Sequence, residues 1–305
     1  MRLGIIGLGR MGGNMARRLR RGGIEVVGYN RDATVTSKLA DKCGLTPAES
    51  AEHLVAQLEE PRLVWLMLPA GEITESYVVQ IKDLLSPGDI LVDGANSYFK
   101  DSIRRGQELA RLNIHFVDAG VSGGVWGLEK GYALMVGGPE EALAHVKPVL
   151  EVLAPAPDRG WLHTGPIGSG HFVKMVHNGI EYGMMQAYAE GFALLKARDD
   201  FGLELSEIAE TWRHGSVVRS WLLDLTASFL AEDQELANIE PFVADSGEGR
   251  WTAIEAIEQG IPTPVMSTAL MMRFASQGQQ DYTAKLLAMM RKGFGGHSLK
   301  QLERR

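Results

Sequence analysis

The chain has 305 residues, 45% of them hydrophobic, with 31 Lys and Arg against 38 Asp and Glu and a net charge of −7. That length allows two domains with separate cores, and the acidic balance disfavours a nucleic-acid or anionic-membrane partner. No apolar run approaches the roughly 18 residues of a membrane helix, and the N-terminus lacks a signal-peptide core, so no membrane association is expected. The single cysteine, Cys43, can form neither an intrachain disulfide nor a cysteine-based metal cluster, so a cytoplasmic location and a structural Cys43 are expected.

Short β-branched runs alternate with helical stretches through the first half: Leu3 to Ile6, Ile24 to Tyr29, Leu63 to Leu68, Ile90 to Asp93, His115 to Asp118 and Ala133 to Val136. A last run, Trp161 to His163, follows a turn-rich segment. The alternation predicts an α/β domain with a doubly wound, mostly parallel sheet. Gly7-Leu8-Gly9-Arg10-Met11-Gly12 follows the first run directly and opens a helix, the context that the Rossmann dinucleotide fingerprint requires. Gly7 permits the tight turn, Gly9 lets the backbone approach a pyrophosphate, and Gly12 allows close packing of helix on strand. A glycine turn without a ligand is the alternative, and the flanking strand and helix argue against it. The basic run Arg17, Arg18, Arg20 and Arg21 reads as the solvent face of that first helix.

The second run ends in Asn30-Arg31-Asp32. A carboxylate there accepts from a ribose 2′-OH and repels a 2′-phosphate, so Asp32 favours NAD, whereas the Arg31 guanidinium pulls toward NADP. Further strand ends carry Leu68-Pro69-Ala70, Gly94-Ala95-Asn96-Ser97 and Val121-Ser122-Gly123-Gly124, where open α/β sheets bind ligands. The hydroxyl and unhindered N–H groups of Ser122 to Gly124 suit a carboxylate, although the same residues occur in plain turns. The expected cofactor-binding set is therefore Gly7, Leu8, Gly9, Arg10, Met11, Gly12, Asn30, Arg31, Asp32, Leu68, Pro69, Ala70 and Asn96.

From about Gly168 the period becomes helical, with breaks near Gly202, Gly215, Gly247 and Gly260. A boundary near residue 164 is expected, separating a dinucleotide-binding domain (1–164) from an all-α substrate and dimerisation domain (165–305). The second domain opens on Lys174-Met175-Val176-His177-Asn178-Gly179-Ile180-Glu181-Tyr182, where the polar residues recur at i, i+3, i+4, i+7 and i+8 and so share one helical face. Met175, Val176, Ile180, Met184 and Met185 make the other faces apolar, which predicts a buried helix whose polar stripe lines something. A solvated stripe with a Lys/Glu pair is the alternative. Lys174 and Glu181 lie roughly 10 Å apart along such a helix, so a base and an acid can reach one small molecule. The eight histidines include no His-Glu-x-x-His pair, and no metal is expected.

Taken together, Gly7-x-Gly-x-Met-Gly12, Gly94-Ala-Asn96-Ser, Val121-Ser-Gly-Gly124 and the run Gly170 to Gly183 resemble the decarboxylating 6-phosphogluconate dehydrogenases. The last run is the most specific, and the resemblance covers essentially the whole chain. The broader β-hydroxyacid dehydrogenase family shares the first and third motifs and Lys174-x-x-x-Asn178; Glu181-Tyr182 points to the phosphogluconate branch. The chain is shorter than the family's longer members and resembles its short, often NAD-linked branch. It also carries Ser246 and Glu248 where longer members place Lys and Thr near the substrate phosphate.

The resemblance implies oxidative decarboxylation of 6-phosphogluconate to ribulose 5-phosphate and CO₂, with Lys174 and Glu181 catalytic. It further implies that Asn96, His177 and Asn178 contact substrate hydroxyls, Ser122, Gly123 and Gly124 the carboxylate, and Tyr182, Arg273 and Arg291 the phosphate. Arg291 and His297 belong to a C-terminal tail that in the family completes a neighbouring subunit's site, which implies a homodimer or larger. An unperturbed lysine, with pKa about 10.4, is protonated at neutral pH, so burial must make Lys174 a base. Two rivals keep part of this pattern: a 3-hydroxyacid dehydrogenase of the hydroxyisobutyrate or tartronate semialdehyde type, which needs no Glu181 acid, and a nucleotide-responsive binding protein without catalysis.

Overall fold

A computed structural model of the chain describes residues 1–278 and 281–295. In chain order the first part runs β1 (Arg2–Ile6), α1 (Arg10–Arg21), β2 (Glu25–Tyr29), α2 (Ala33–Cys43), β3 (Thr46–Pro47), α3 (Ala51–Ala56), β4 (Leu63–Leu66) and α4 (Glu72–Lys82). It continues with β5 (Ile90–Asp93), α5 (Phe99–Ala110), β6 (His115–Ser122), α6 (Gly127–Lys130), β7 (Ala133–Gly137), α7 (Glu140–Leu153) and β8 (Trp161–Gly165). Among the described residues the strands form one sheet in the order β3-β2-β1-β4-β5-β6-β7-β8, parallel except for β6 against β7. Every residue of β4 and β5 is buried, as a parallel sheet covered on both faces demands. The chain order reverses between β1 and β4, and the glycine-rich turn lies at this switch point. The expected doubly wound, mostly parallel architecture is thus present.

The second part is helical: α8 (Ser169–Lys196), α9 (Leu205–Arg213), α10 (Trp221–Glu232), α11 (Glu248–Glu258), α12 (Pro264–Ser276) and α13 (Asp281–Gly295). Its breaks follow local chemistry. Ser220 caps α10 by accepting from Leu223 N at 3.1 Å, and Pro264 opens α12 where a missing N–H costs nothing. By contacts the chain divides into Met1–His177 and Asn178–Arg305, so the division falls inside α8, where a break near residue 164 is expected. The first turns of α8 belong to the sheet because Gly170 brings its backbone onto β6 and β7. A Cβ there would stand 2.5 Å from the carbonyl oxygens of Asp118 and Met135.

Three expectations need correction. Strand β6 runs on to Ser122 rather than stopping at Asp118, paired with β7 from Asp118↔Gly137 to Ser122↔Ala133. Ala119-Gly120 hides this extension in the sequence, since neither residue favours strands. The later part of α8 is not buried on all its apolar faces: Ile180 is 52% exposed and Met184 and Met185 each 40%. That stretch packs through Tyr188, Phe192 and Leu195 into a small core with α9 and α10, and through Tyr182 against Ala269 and Leu270 of α12, which leaves Ile180, Met184 and Met185 outside both. Finally, the basic run of α1 is only partly a solvent face: Arg21 is exposed, whereas Arg18 and Arg20 donate to backbone carbonyls. Cys43 is partly buried, its Sγ donating to Leu39 O at 3.1 Å.

Candidate active site

The turn after β1 is shaped by its glycines. Gly7 adopts φ 95° and donates its N–H to Tyr29 O at 2.9 Å, while a Cβ on Gly12 would collide with the Gly7 carbonyl. Gly9 differs, because a Cβ there would meet nothing within 4 Å among the described residues. Packing inside the protein does not call for glycine at that position; close approach of a ligand to the backbone does. Gly9 also caps α1 with no side-chain hydrogen bond, which leaves the first N–H groups of the helix for an anion. The turn fits a dinucleotide pyrophosphate.

Gly7, Asn30, Arg31, Asp32, Leu68 and Pro69 line one cavity of about 210 Å³ with Ile6, Tyr29, Ile73 and Tyr77. Tyr29 and Tyr77 are additions that sequence reasoning missed: Tyr77 sits in α4, far along the chain, and carries no local motif. Asn30 braces the turn, accepting from Leu8 N at 3.0 Å and donating to Asp32 O at 3.3 Å. Asp32 caps α2, its Oδ1 accepting from Thr34 N at 2.9 Å and Thr34 Oγ1 at 2.8 Å. The Thr34 hydroxyl, with the Thr34 amide second, holds this carboxyl below its ordinary value, so Asp32 stays anionic. Arg10 and Met11 form the first turn of α1, and Ala70 lies in the segment leading into α4.

Asp93 ends β5 fully buried. Its Oδ1 accepts from Ala95 N at 3.0 Å, and its Oδ2 accepts from Ser97 Oγ at 2.8 Å and Arg105 Nη1 at 2.9 Å. This frame holds Asn96 at φ 51°. The Asn96 amide grips β6 at Val121, donating to its carbonyl at 3.2 Å and accepting from its N–H at 2.8 Å. The residue expected to touch cofactor and substrate is therefore also the brace that fixes Ser122's strand. Arg105 and Asp93 are further residues that sequence reasoning missed in this role.

Asp118 on β6 accepts from Gly168 N at 2.6 Å and His171 N at 2.8 Å, a carboxylate seated on the N-terminus of α8. Burial pushes its carboxyl up, against the pull of His171 and those two amides. One turn on, Lys174 is 5% exposed, and its stem occupies the space a side chain at Gly120 would need, with Lys174 Cγ 3.0 Å from a Cβ built there. Ser122 Oγ lies 3.5 Å from His177 Nε2. Strand β6 and the first turns of α8 thus bring Ser122, Lys174 and His177 together. Gly123 and Gly124 follow with φ 130° and 51°, conformations that favour glycine and expose the backbone N–H groups.

In the second unit Asn178 and Glu181 are partly exposed, and Tyr182 is buried. Tyr182 Oη lies 3.3 Å from Ser246 Oγ, which in turn donates to Glu248 Oε2 at 2.5 Å. The Arg273 guanidinium stacks 3.4 Å from the Tyr182 ring centroid and donates to Ala244 O at 2.9 Å. Tyr182, Ser246, Glu248 and Arg273 therefore form one cluster. Arg291 is exposed on α13, and His297 lies outside the described residues.

Residues 2–164 match the NAD binding domain of 6-phosphogluconate dehydrogenase, and residues 170–302 match the 6-phosphogluconate dehydrogenase C-terminal domain. The NAD(+)-dependent, decarboxylating 6-phosphogluconate dehydrogenase of Haloferax volcanii is 42% identical over 300 residues, covering 98% of each chain. The NADP(+)-dependent, decarboxylating enzyme of Bacillus subtilis is 38% identical over 295 residues, 92% of this chain and 62% of that protein. Among solved structures, Plasmodium falciparum 6-phosphogluconate dehydrogenase superposes with a TM-score of 0.83 at 30% identity, over 100% of this chain and 67% of that one. With both halves matched and a full-length relative at this identity, the chain belongs to the 6-phosphogluconate dehydrogenase family.

Proposed function

We propose that the protein catalyses NAD-linked oxidative decarboxylation of 6-phosphogluconate to ribulose 5-phosphate and CO₂. The observation that carries this reading is Lys174: an amine 5% exposed, lodged against Gly120 on the strand that ends in Ser122, on the helix that also carries Glu181. NAD, held by the Gly7–Gly12 turn with Asp32 toward its ribose, supplies the hydride acceptor for C3 of the substrate. Lys174 takes the proton of the C3 hydroxyl as the hydride leaves; burial gives it the desolvated setting an amine base needs. The Lys174 ammonium then donates to the new C3 carbonyl, which receives the electrons of the C1–C2 bond as CO₂ departs. Glu181 gives a proton to the former C2 while the enol oxygen on C3 returns its proton to Lys174, completing the product.

Ser122, Gly123 and Gly124 hold the carboxylate, His177 and Asn178 the hydroxyls with Asn96, and Tyr182 with Arg273 the phosphate. Arg291 and His297 complete a neighbouring copy's site in a homodimer or tetramer. The exposed Ile180, Met184 and Met185 support such an oligomer. Light scattering tests it, with a monomer at working concentration as the contrary result. Cofactor choice is tested by kcat/KM for NAD and NADP: Asp32 leads to a preference for NAD that Asp32→Ala relaxes, and a native preference for NADP would refute that role.

A further inference from the structure

The basic run of α1 has a use that the chemistry above does not draw on. Arg18 donates Nε to Val152 O at 2.8 Å and Nη2 to Ala154 O at 2.6 Å, carbonyls at the C-terminal end of α7. Its Nη1 donates to Leu128 O at 3.2 Å and Glu129 O at 3.4 Å in α6. Arg21 Nη1 adds bonds to the Glu129 carboxylate at 3.0 and 3.1 Å. One turn nearer the glycine-rich loop, Asn14 Nδ2 donates to Val125 O at 3.3 Å, with Arg17 Nη1 donating to Asn14 Oδ1 at 3.3 Å. Helix ends leave carbonyls without intrahelical partners, and one planar guanidinium with five N–H groups serves four carbonyls of two helices at once. A lysine ammonium has no such span.

Most of these contacts fall on residues 125–129, directly after Ser122 to Gly124. Tyr132 supports the same segment from within. It is fully buried, its ring fills the space that a side chain at Gly127 would need and stands 3.2 Å from a Cβ built at Gly123, and its N–H donates to Leu153 O at 2.9 Å. Its hydroxyl is buried without a hydrogen-bond partner among the described residues, and burial pushes it up to about 12. A polar end left unpaired is a cost, so the ring is present for its shape. The apex, Val125 and Trp126, is exposed.

We propose that Asn14 and Arg18 are positioning residues that fasten the substrate's carboxylate turn to the dinucleotide helix. Cofactor and substrate carboxylate then sit on one rigid piece, and their relative placement is set before either binds. This rests on the carboxylate role given to Ser122–Gly124 above.

The test uses the intact enzyme and the variants Arg18→Lys, Asn14→Ala and Ser122→Ala. Steady-state KM is measured for 6-phosphogluconate and for NAD, with acrylamide quenching of Trp126 fluorescence isolated by difference against Trp126→Phe. Misplacement of the turn by a fraction of an ångström predicts a rise in substrate KM of about tenfold for Arg18→Lys and about threefold for Asn14→Ala. The KM for NAD should stay within about twofold, and Trp126 should become more accessible to quencher in both variants. Unchanged substrate KM and unchanged quenching in both, with only a lower Tm in Arg18→Lys, would overturn the proposal. Asn14→Ala keeps the test alive if Arg18→Lys does not fold. Ser122→Ala reads the carboxylate role separately: an unchanged KM there, with the Trp126 response intact, refutes that role and leaves the fastening standing.

Discussion

Asp93 and Arg105 meet at 2.9 Å in the first unit with 0% and 1% of their side chains exposed, whereas Asp245 and Arg250 pair in the second with 5% and 56% exposed. The first pair is sealed beneath a turn that carries Asn96; the second leaves one partner in water beside a loop that carries Ser246. The contrast extends outward. Lys174, Asp118 and His171 are buried, while Ser246 and the Arg250 side chain are open to solvent. A buried, fully partnered frame fixes geometry and strengthens every electrostatic contact within it. Solvent-exposed charges hold their partners weakly and exchange them easily. On the proposed reading, the redox chemistry is built on preorganised groups, and the phosphate end joins the buried Tyr182 to more open groups such as Ser246.

The sharpest way to test that contrast is to remove the amine. Lys174→Met should lower kcat by about 10³-fold or more, as loss of a general base predicts, with Tm near that of the parent; a tenfold loss or less in steady-state assays would count against the role. Next in size is Arg105→Met, which leaves Asp93 buried and unpaired at a cost of about 3–5 kcal/mol in denaturant unfolding. Arg250→Met, its half-open counterpart, should cost less, about 1–2 kcal/mol, because Asp245 keeps the bond from Gly247 N. Equal losses in the two would erase the difference between the units.

A smaller effect is expected at the cluster proposed to hold the phosphate. Arg273→Ala should raise KM for 6-phosphogluconate about tenfold, a loss of about 1.4 kcal/mol, and leave KM for unphosphorylated gluconate unchanged. Similar changes for both acids would move the phosphate elsewhere.

The smallest is electrostatic. The hydrogen bond from Arg104, with Arg105 also contributing, holds the Glu75 carboxyl down from 4.5 to about 2. A depressed folded value stabilises the protein fully above the ordinary carboxylate range, and the contribution fades as pH falls from about 4.5 toward 2. The stability difference between the parent and Glu75→Gln, on the order of 1 kcal/mol after solvent screening at pH 7, should therefore shrink across that window in urea titrations. A difference that grows toward low pH would contradict the assignment.

The sheet was legible because its strands are short apolar runs and its glycines stand where a dinucleotide turn needs them. The polar face of α8 was legible from its spacing alone. What the sequence hid were dependencies between distant segments. Asp118 looks like a strand-end loop residue, yet it seats the helix that carries Lys174. Gly120 weakens the strand pattern, and only the fold reveals that Lys174 needs its missing side chain. Arg18 reads as surface charge until the carbonyls of α6 and α7 come within its reach. The exposure of Ile180, Met184 and Met185 escapes periodicity because an apolar face shows what can be buried, not what buries it.

On the proposed reading, one amine and one carboxyl group on α8 carry two chemical steps on one substrate. The most direct test of that reading follows NADH and CO₂ together while the purified protein turns over 6-phosphogluconate. The account predicts equal amounts of both from the parent, neither from Lys174→Met, and slow release of both from Glu181→Gln. Reduced cofactor without CO₂ from the parent, as a simple 3-hydroxyacid dehydrogenase would give, would contradict it.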